Sequence, residues 1–295
     1  MNDLLNDFRD YKINVIGLSE NSMDMYLSSI KGFLEYRHCN TKEDLINTTV
    51  EDVTNWLSYL AEKNISGTTR NNRLSVVKEL FKYLEYIKGE KVDNKIFLIP
   101  QTKIPIKESI CPTPEDIMLI YNFSRTQCMK AFILVGKSTT LRISEILQID
   151  VTDILDKPPM TGIIIKGKGN KEKITYLKPE VHKACLRYIN GERQKIIDKT
   201  HSKETKLFIN SNGKLLHIVT IEKNLKKAAK EAGIPWWEEM TSHKLRHAGI
   251  TEMLNSGIDI KTVSEVAGHS NISTTNRYTH STEQRIKDAI GRMVN

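Results

Sequence analysis

Between Lys88 and Ile110 the pattern of this 295-residue chain changes, and that change limits what it can fold into. Before it, apolar residues recur at helical spacing. Met23, Tyr26, Leu27, Ile30, Phe33 and Leu34 form one stripe over Asn21–Tyr36. Val53, Trp56, Leu57 and Leu60 form another, opened by Thr49 and by carboxylates at Glu51 and Asp52, where a helix start favours negative charge. Ser66 opens a third, with Leu74, Val77, Phe81 and Leu84 on one side and Arg70, Arg73, Lys78 and Lys82 elsewhere. These stripes predict an all-α domain of about four helices over residues 1–88. The stretch 89–110, with Gly89, Pro100, Pro105 and many lysines, reads as an interdomain linker.

Beyond the linker the pattern is mixed. Thr113 followed by Pro114 is a capped helix start, Ala131–Ser138 is an apolar helix, and another begins after Arg142. Gly162–Lys166 and Glu172–Leu177 alternate apolar and polar residues around Gly-Lys-Gly-Asn, a β-hairpin signal. Leu207–Asn210 reads as a further short strand, and helix returns from Ile218 to a tail over Thr282–Val294. The fold class is therefore mainly α with a small β-sheet: a helical domain, then an α+β domain over 111–295.

The chain carries a net charge of +8 at neutral pH, which favours polyanionic partners. Its first 100 residues hold two more acidic than basic side chains, so the other 195 hold +10. Cys39, Cys111, Cys128 and Cys185 are scattered without CxxC spacing, which argues against a disulfide framework and for a reducing cytoplasm. No apolar run approaches the ~20 residues of a membrane span, and Met1-Asn-Asp-Leu lacks a signal-peptide pattern.

The basic part also holds the chemistry. Arg142 lies in Thr-Leu-Arg-Ile-Ser-Glu145, Lys168 in Ile165-Lys-Gly-Lys-Gly-Asn-Lys171, and His243 and Arg246 in Ser-His-Lys-Leu-Arg-His247. His269 follows Gly268, and Tyr278 comes nine residues later. Two permanently charged guanidiniums can clamp the nonbridging oxygens of a phosphodiester. A tyrosine hydroxyl can attack phosphorus if a base takes its proton, since a free phenol has a pKa of about 10. His243 can accept that proton, and His269 can bond a phosphate oxygen. His243 and His247 also sit four apart, as metal ligands on a helix can. No glutamate follows His243, however, and no carboxylate cluster completes a site, so no metal is expected.

In this order the segments resemble the tyrosine recombinase (lambda-integrase-like) family, most nearly its compact Xer-type members. The likeness spans about Leu18 to Tyr278. It implies Arg142, Lys168, His243, Arg246, His269 and Tyr278 as catalytic residues, with a hairpin lysine, Lys168 or one of its neighbours Lys166, Lys171 and Lys173, as the acid that protonates the departing 5′ oxygen. It also implies a core-binding helical domain, cleavage through a 3′-phosphotyrosine without cofactor, and double-stranded DNA as the partner. Each site would take a dimer and each synapse a tetramer, with the tail helix docking on a neighbouring copy. Arg70, Asn71, Arg73, Lys166 and Lys171 are candidate DNA contacts. Thr140 stands where glycine commonly precedes Leu-Arg, Ala267 where leucine precedes Gly-His, and Lys173 where arginine is frequent. Two rivals remain: a helix–turn–helix regulator reading Ile260–Arg277 as its motif, and a relaxing topoisomerase with similar tyrosine chemistry. The biological role and the recognition sequence are not legible at this level.

Overall fold

The computed structural model describes residues 1–105, 110–166 and 172–268. The chain divides into two compact units, 1–108 and 109–295.

The first unit is helical: α1 (Asn2–Asp10), α2 (Glu20–Arg37), α3 (Lys42–Ile46), α4 (Val50–Glu62) and α5 (Gly67–Lys82). Short polar side chains set the starts. Ser19 and Ser66 accept from backbone N–H groups in the first turns of α2 and α5. Thr41 and Thr49 form capping boxes with Asp44 and Asp52, satisfying donors that a helix leaves orphaned. The stripes converge on one core, where Phe33 meets Trp56 edge-on at 5.0 Å and Phe81 at 6.4 Å between centroids. Two lysines of this unit are tied down. Lys12 pairs with Glu79 at 2.8 Å, and Lys78 Nζ donates to the carbonyls of Phe97 (2.9 Å) and Ile99 (2.6 Å).

Those carbonyls belong to the stretch expected to be linker. Val92, Ile96 and Ile99 are buried in the first core, around a 3-10 turn at Asn94–Leu98. Their apolar spacing is helical but is interrupted by Asp93, Asn94 and Lys95, which conceals it in the sequence.

The second unit begins with α6 (Pro114–Phe123), capped by a Thr113–Asp116 box, and α7 (Gln127–Thr139). Short helices α8 (Ile143–Ile146) and α9 (Thr152–Leu155) lead to the antiparallel hairpin β1 (Ile163–Lys166) and β2 (Glu172–Thr175). The register pairs Ile163 with Thr175 and Lys166 with Glu172. Ile163 and Ile165 face the core while Ile164 and Lys166 face out, the alternation a pleated strand imposes. Then follow α10 (Pro179–Tyr188), α11 (Gln194–Thr200), α12 (Ile218–Glu231), α13 (Ser242–Asn255) and α14 (Ile260–Ala267). The strand expected at Leu207–Asn210 is reduced to single bridges, Asp150 with Lys206 and Ile209 with Leu215. Its Phe208 instead packs against Phe132 and Tyr188, and the Tyr188 hydroxyl accepts from the Ile209 N–H.

Glycines let α7 and α13 meet closely. A Cβ on Gly249 would collide with the Lys137 carbonyl, and one on Gly136 would sit 3.2 Å from Leu245 Cδ1. Arg142 follows the end of α7, and Arg246 lies on α13. The backbone crossing therefore fixes where both guanidiniums start.

Candidate active site

Arg142, His243 and Arg246 belong to one electrostatic neighbourhood, because both arginines act on the histidine's titration. Arg246 is 2% exposed. One of its terminal nitrogens donates to Thr140 O and the other to Ala267 O, the latter at 2.8 Å. Arg142, whose side chain is 48% exposed, donates to Gly268 O at 3.3 Å. The two guanidiniums thus gather at the last carbonyls of α14, where a helix presents partial negative charge. Gly268 closes that end with φ +66°, the left-handed value of a helix C-cap.

Glu145 holds Arg142 in place. It is 4% exposed and takes the Arg142 side chain at 2.9 Å and the Arg142 backbone N–H at 2.8 Å. One carboxylate therefore caps α8 and aims a guanidinium. Thr140 is in the left-handed region at φ 52°, which explains why glycine suits this place. In this chain the strained residue supplies the carbonyl that receives Arg246.

His243 sits in the first turn of α13. Desolvation by the surrounding protein, then Arg246, Lys244 and Arg142, lower its pKa below the ordinary histidine value, while Glu222 opposes them. The ring is therefore a neutral base at physiological pH, although its surface is substantially open. Glu222 caps the same helix, accepting from Ser242 N at 3.0 Å and Ser242 Oγ at 2.6 Å. His247 is pushed to about 4, by burial first and then by Lys244 and His243. Among the described residues, no three His, Cys, Asp or Glu side chains gather as metal ligands.

Lys173 on β2, noted in the sequence as a hairpin lysine where arginine is frequent, joins this group. Its Nζ is shut off from solvent with no hydrogen-bond partner among the described residues. Burial first, then Arg246 and Arg142, press its pKa down to about 8, against Glu145. A Cβ on Gly268 would lie 3.4 Å from its Cδ and 3.7 Å from its Nζ. The sequence signals were that place in the hairpin and the alternation that turns residue 173 to the side opposite Ile174.

Lys168, Lys171, His269, Tyr278 and the tail helix expected over 282–294 lie outside the described residues. Lys166 is exposed at the end of β1. In the first unit, Arg70 and Arg73 are partly exposed on α5. Asn71, named with them as a DNA contact, turns inward: its amide donates to Thr102 O at 2.9 Å and accepts from Thr102 N at 2.8 Å.

Comparison with known proteins adds kinship to this geometry. Residues 113–285 match the phage integrase family, and residues 5–86 match the phage integrase N-terminal SAM-like domain. The chain belongs to the phage integrase family, the tyrosine recombinases. It is 31% identical to the tyrosine recombinase XerD of Oceanobacillus iheyensis, over 92% of this chain and 91% of that one. It is 29% identical to a tyrosine recombinase of Thermosipho africanus, over 99% of this chain and 100% of its relative. The fold is similar to that of XerH in a post-cleavage complex with palindromic difH substrate (TM-score 0.72, 21% identity, 97% of this chain and 83% of that one). A lambda integrase(75-356) dimer bound to a COC' core site is equally similar in fold (TM-score 0.72, 14% identity, 94% of each chain). Among the described residues, no helix is long and apolar enough to cross a membrane.

Proposed function

We propose that this chain is a site-specific recombinase that cuts and rejoins double-stranded DNA through a 3′-phosphotyrosine on Tyr278. The observation that carries this reading is the convergence of Arg142 and Arg246 on the end of α14, beside a histidine kept neutral. The guanidiniums hold the nonbridging oxygens of the scissile phosphate and stabilise the charge that builds there. Each can do so with donors beyond those given to carbonyls, since a guanidinium carries five N–H groups. His243 takes the phenolic proton as Tyr278 Oη bonds to phosphorus. The P–O bond to the 5′ oxygen breaks, and that oxygen leaves as a hydroxyl with a proton from Lys168. Rejoining runs the same steps backwards, so the energy of the cut bond is kept in the phosphotyrosine.

In this reading the second unit is catalytic, the first grips DNA beside the cut through Arg70 and Arg73, and Lys166 and Lys171 follow the backbone at the hairpin. Two dimerised sites come together as a tetramer in the cytoplasm, to resolve joined circles or to integrate a mobile element. Kinship with Xer-named recombinases supports this choice.

The test is a duplex carrying the site, recovered by binding selection and nicked near the cut. Wild-type protein should form a covalent adduct that survives denaturing electrophoresis, in excess chelator and without nucleotide. Tyr278→Phe should bind the duplex and form none. An adduct in that variant would remove Tyr278 as nucleophile. Binding without any adduct in the wild type would favour a non-catalytic regulator.

A further inference from the structure

An ammonium group withdrawn from water and left without a hydrogen bond is costly, and folded proteins rarely keep one. Among the described residues Lys173 Nζ is such a group. Its charged surroundings are Arg142 and Glu145 from the α8 segment and Arg246 from α13. Three cations therefore face one carboxylate, and that carboxylate already bonds Arg142 twice. Arg142 and Arg246 have carbonyls to rest on, whereas among the described residues Lys173 has neither carbonyl nor carboxylate within bonding distance. What the cluster lacks is negative charge.

A structural role would give this lysine a partner, as Lys12 and Lys78 have in the first unit. A solvated role would leave Nζ in water. Neither describes Lys173. Its position against Gly268, the residue whose carbonyl receives Arg142, sets it beside the place where the two arginines end.

We propose that Lys173 is a third phosphate-binding cation of this site, donating from Nζ to a nonbridging oxygen of the scissile phosphodiester. The inference rests on reading Arg142 and Arg246 as the phosphate clamp. An arriving anion supplies the missing partner and drives the lysine towards its charged form. Because a lysine pressed to about 8 is half neutral near that pH, anion binding here takes up a proton in mildly alkaline solution. The two arginines stay charged throughout that range, so the site keeps part of its grip as Lys173 loses its proton.

Sulfate, whose charge does not change between pH 6 and 10, is the probe. Thermal unfolding of the full chain is followed with increasing sulfate against chloride of equal ionic strength, which gives an apparent affinity. In wild type that affinity should fall at least tenfold from pH 7 to pH 9.5. Lys173→Met should already be at least tenfold weaker at pH 7 and flat with pH. Lys173→Arg, charged at every pH used, should bind as wild type does at pH 7 and also be flat.

Wild-type affinity that is pH-independent, or Lys173→Met binding as wild type, overturns the role of Lys173. Arg142→Ala separates the two levels. If it loses sulfate while Lys173→Met keeps it, the arginine clamp stands and the lysine inference is wrong. If wild type itself shows no sulfate effect beyond chloride, the clamp reading fails, and the inference with it. Should Lys173→Met not fold, the contrast between wild type and Lys173→Arg across pH decides alone.

Discussion

Lys78 in the first unit and Lys173 in the second are both partly buried lysines whose pKa is depressed, chiefly by desolvation. They differ in what meets the ammonium. Lys78 donates to two carbonyls and so stitches the 92–99 segment to α5. Lys173 Nζ has no hydrogen-bond partner among the described residues, and two arginines crowd it. Burial alone therefore does not separate a fold-holding cation from a ligand-awaiting one. Between these two lysines the presence or absence of a partner does, because an ammonium without one carries its desolvation uncompensated.

Four experiments put the difference between the two lysines and their surroundings to the test. The largest effect should come from Arg142→Ala. Cleavage of the selected duplex should fall by about 10²–10³-fold, since a charge-stabilising donor is lost. Stability should hardly change, because the side chain is half exposed. A variant that cleaves normally would remove the clamp to which Lys173 is assigned.

Next, urea unfolding of Lys78→Met should show a loss of about 2–3 kcal/mol, since the carbonyls of Phe97 and Ile99 lose their donor inside the core. Lys173→Met should be as stable as wild type or more so, because an uncompensated charge is replaced by an apolar chain of similar length. Equal losses in both would erase the distinction.

The third is a pH series. Lys173 has a folded pKa below its unfolded one, so the unfolded state binds more protons between about 8 and the ordinary lysine value. Stability should therefore rise with pH across that window. Wild type should gain about 2 kcal/mol on Lys173→Met between pH 8 and pH 10, at 1.36 kcal/mol per unit. A constant difference between the two chains would contradict the burial of the ammonium. On the acid side the sign is the same for His243 and His247, whose pKa values are also lowered. Stability should drop as pH falls from ordinary histidine values towards 4, less steeply in His247→Asn.

The smallest effects lie on α5. Asn71→Ala should cost about 1–2 kcal/mol, since Thr102 loses both amide bonds. Arg73→Ala should leave stability within about 0.5 kcal/mol and weaken duplex binding instead. Reversed results would exchange the structural and DNA-facing assignments of these neighbours.

Local rules carried much of the fold. Thr49, Ser66 and Thr113 announced α4, α5 and α6, and the Gly-Lys-Gly-Asn run announced the hairpin flanked by β1 and β2. What escaped depends on contacts distant in sequence. The packing of Val92, Ile96 and Ile99 requires the core built by α2, α4 and α5, and nothing within 89–110 declares it. α10 was overlooked although Pro179 stands at its first turn, because its buried face includes His182 and Cys185 as well as Val181 and Tyr188. At the site, the motifs named Arg142, His243 and Arg246 by type and spacing. They could not reveal that Asn71 is spoken for by Thr102 or that Lys173 Nζ lacks a hydrogen-bond partner among the described residues, since both facts come from what a distant backbone places beside them.

The crossing of α7 and α13 at Gly136 and Gly249 has a consequence for how the enzyme keeps its calibration. A separation set by side chains drifts as rotamers exchange. One set by backbone lying against a glycine, as the Lys137 carbonyl lies against Gly249, has little slack. The offset between the roots of Arg142 and Arg246 behaves as a fixed gauge, indifferent to the jostling of the surface. A methyl group at residue 249 would wedge that gauge open without touching any charged atom. The outcome would be a protein with every reactive group present and its measuring scale wrong.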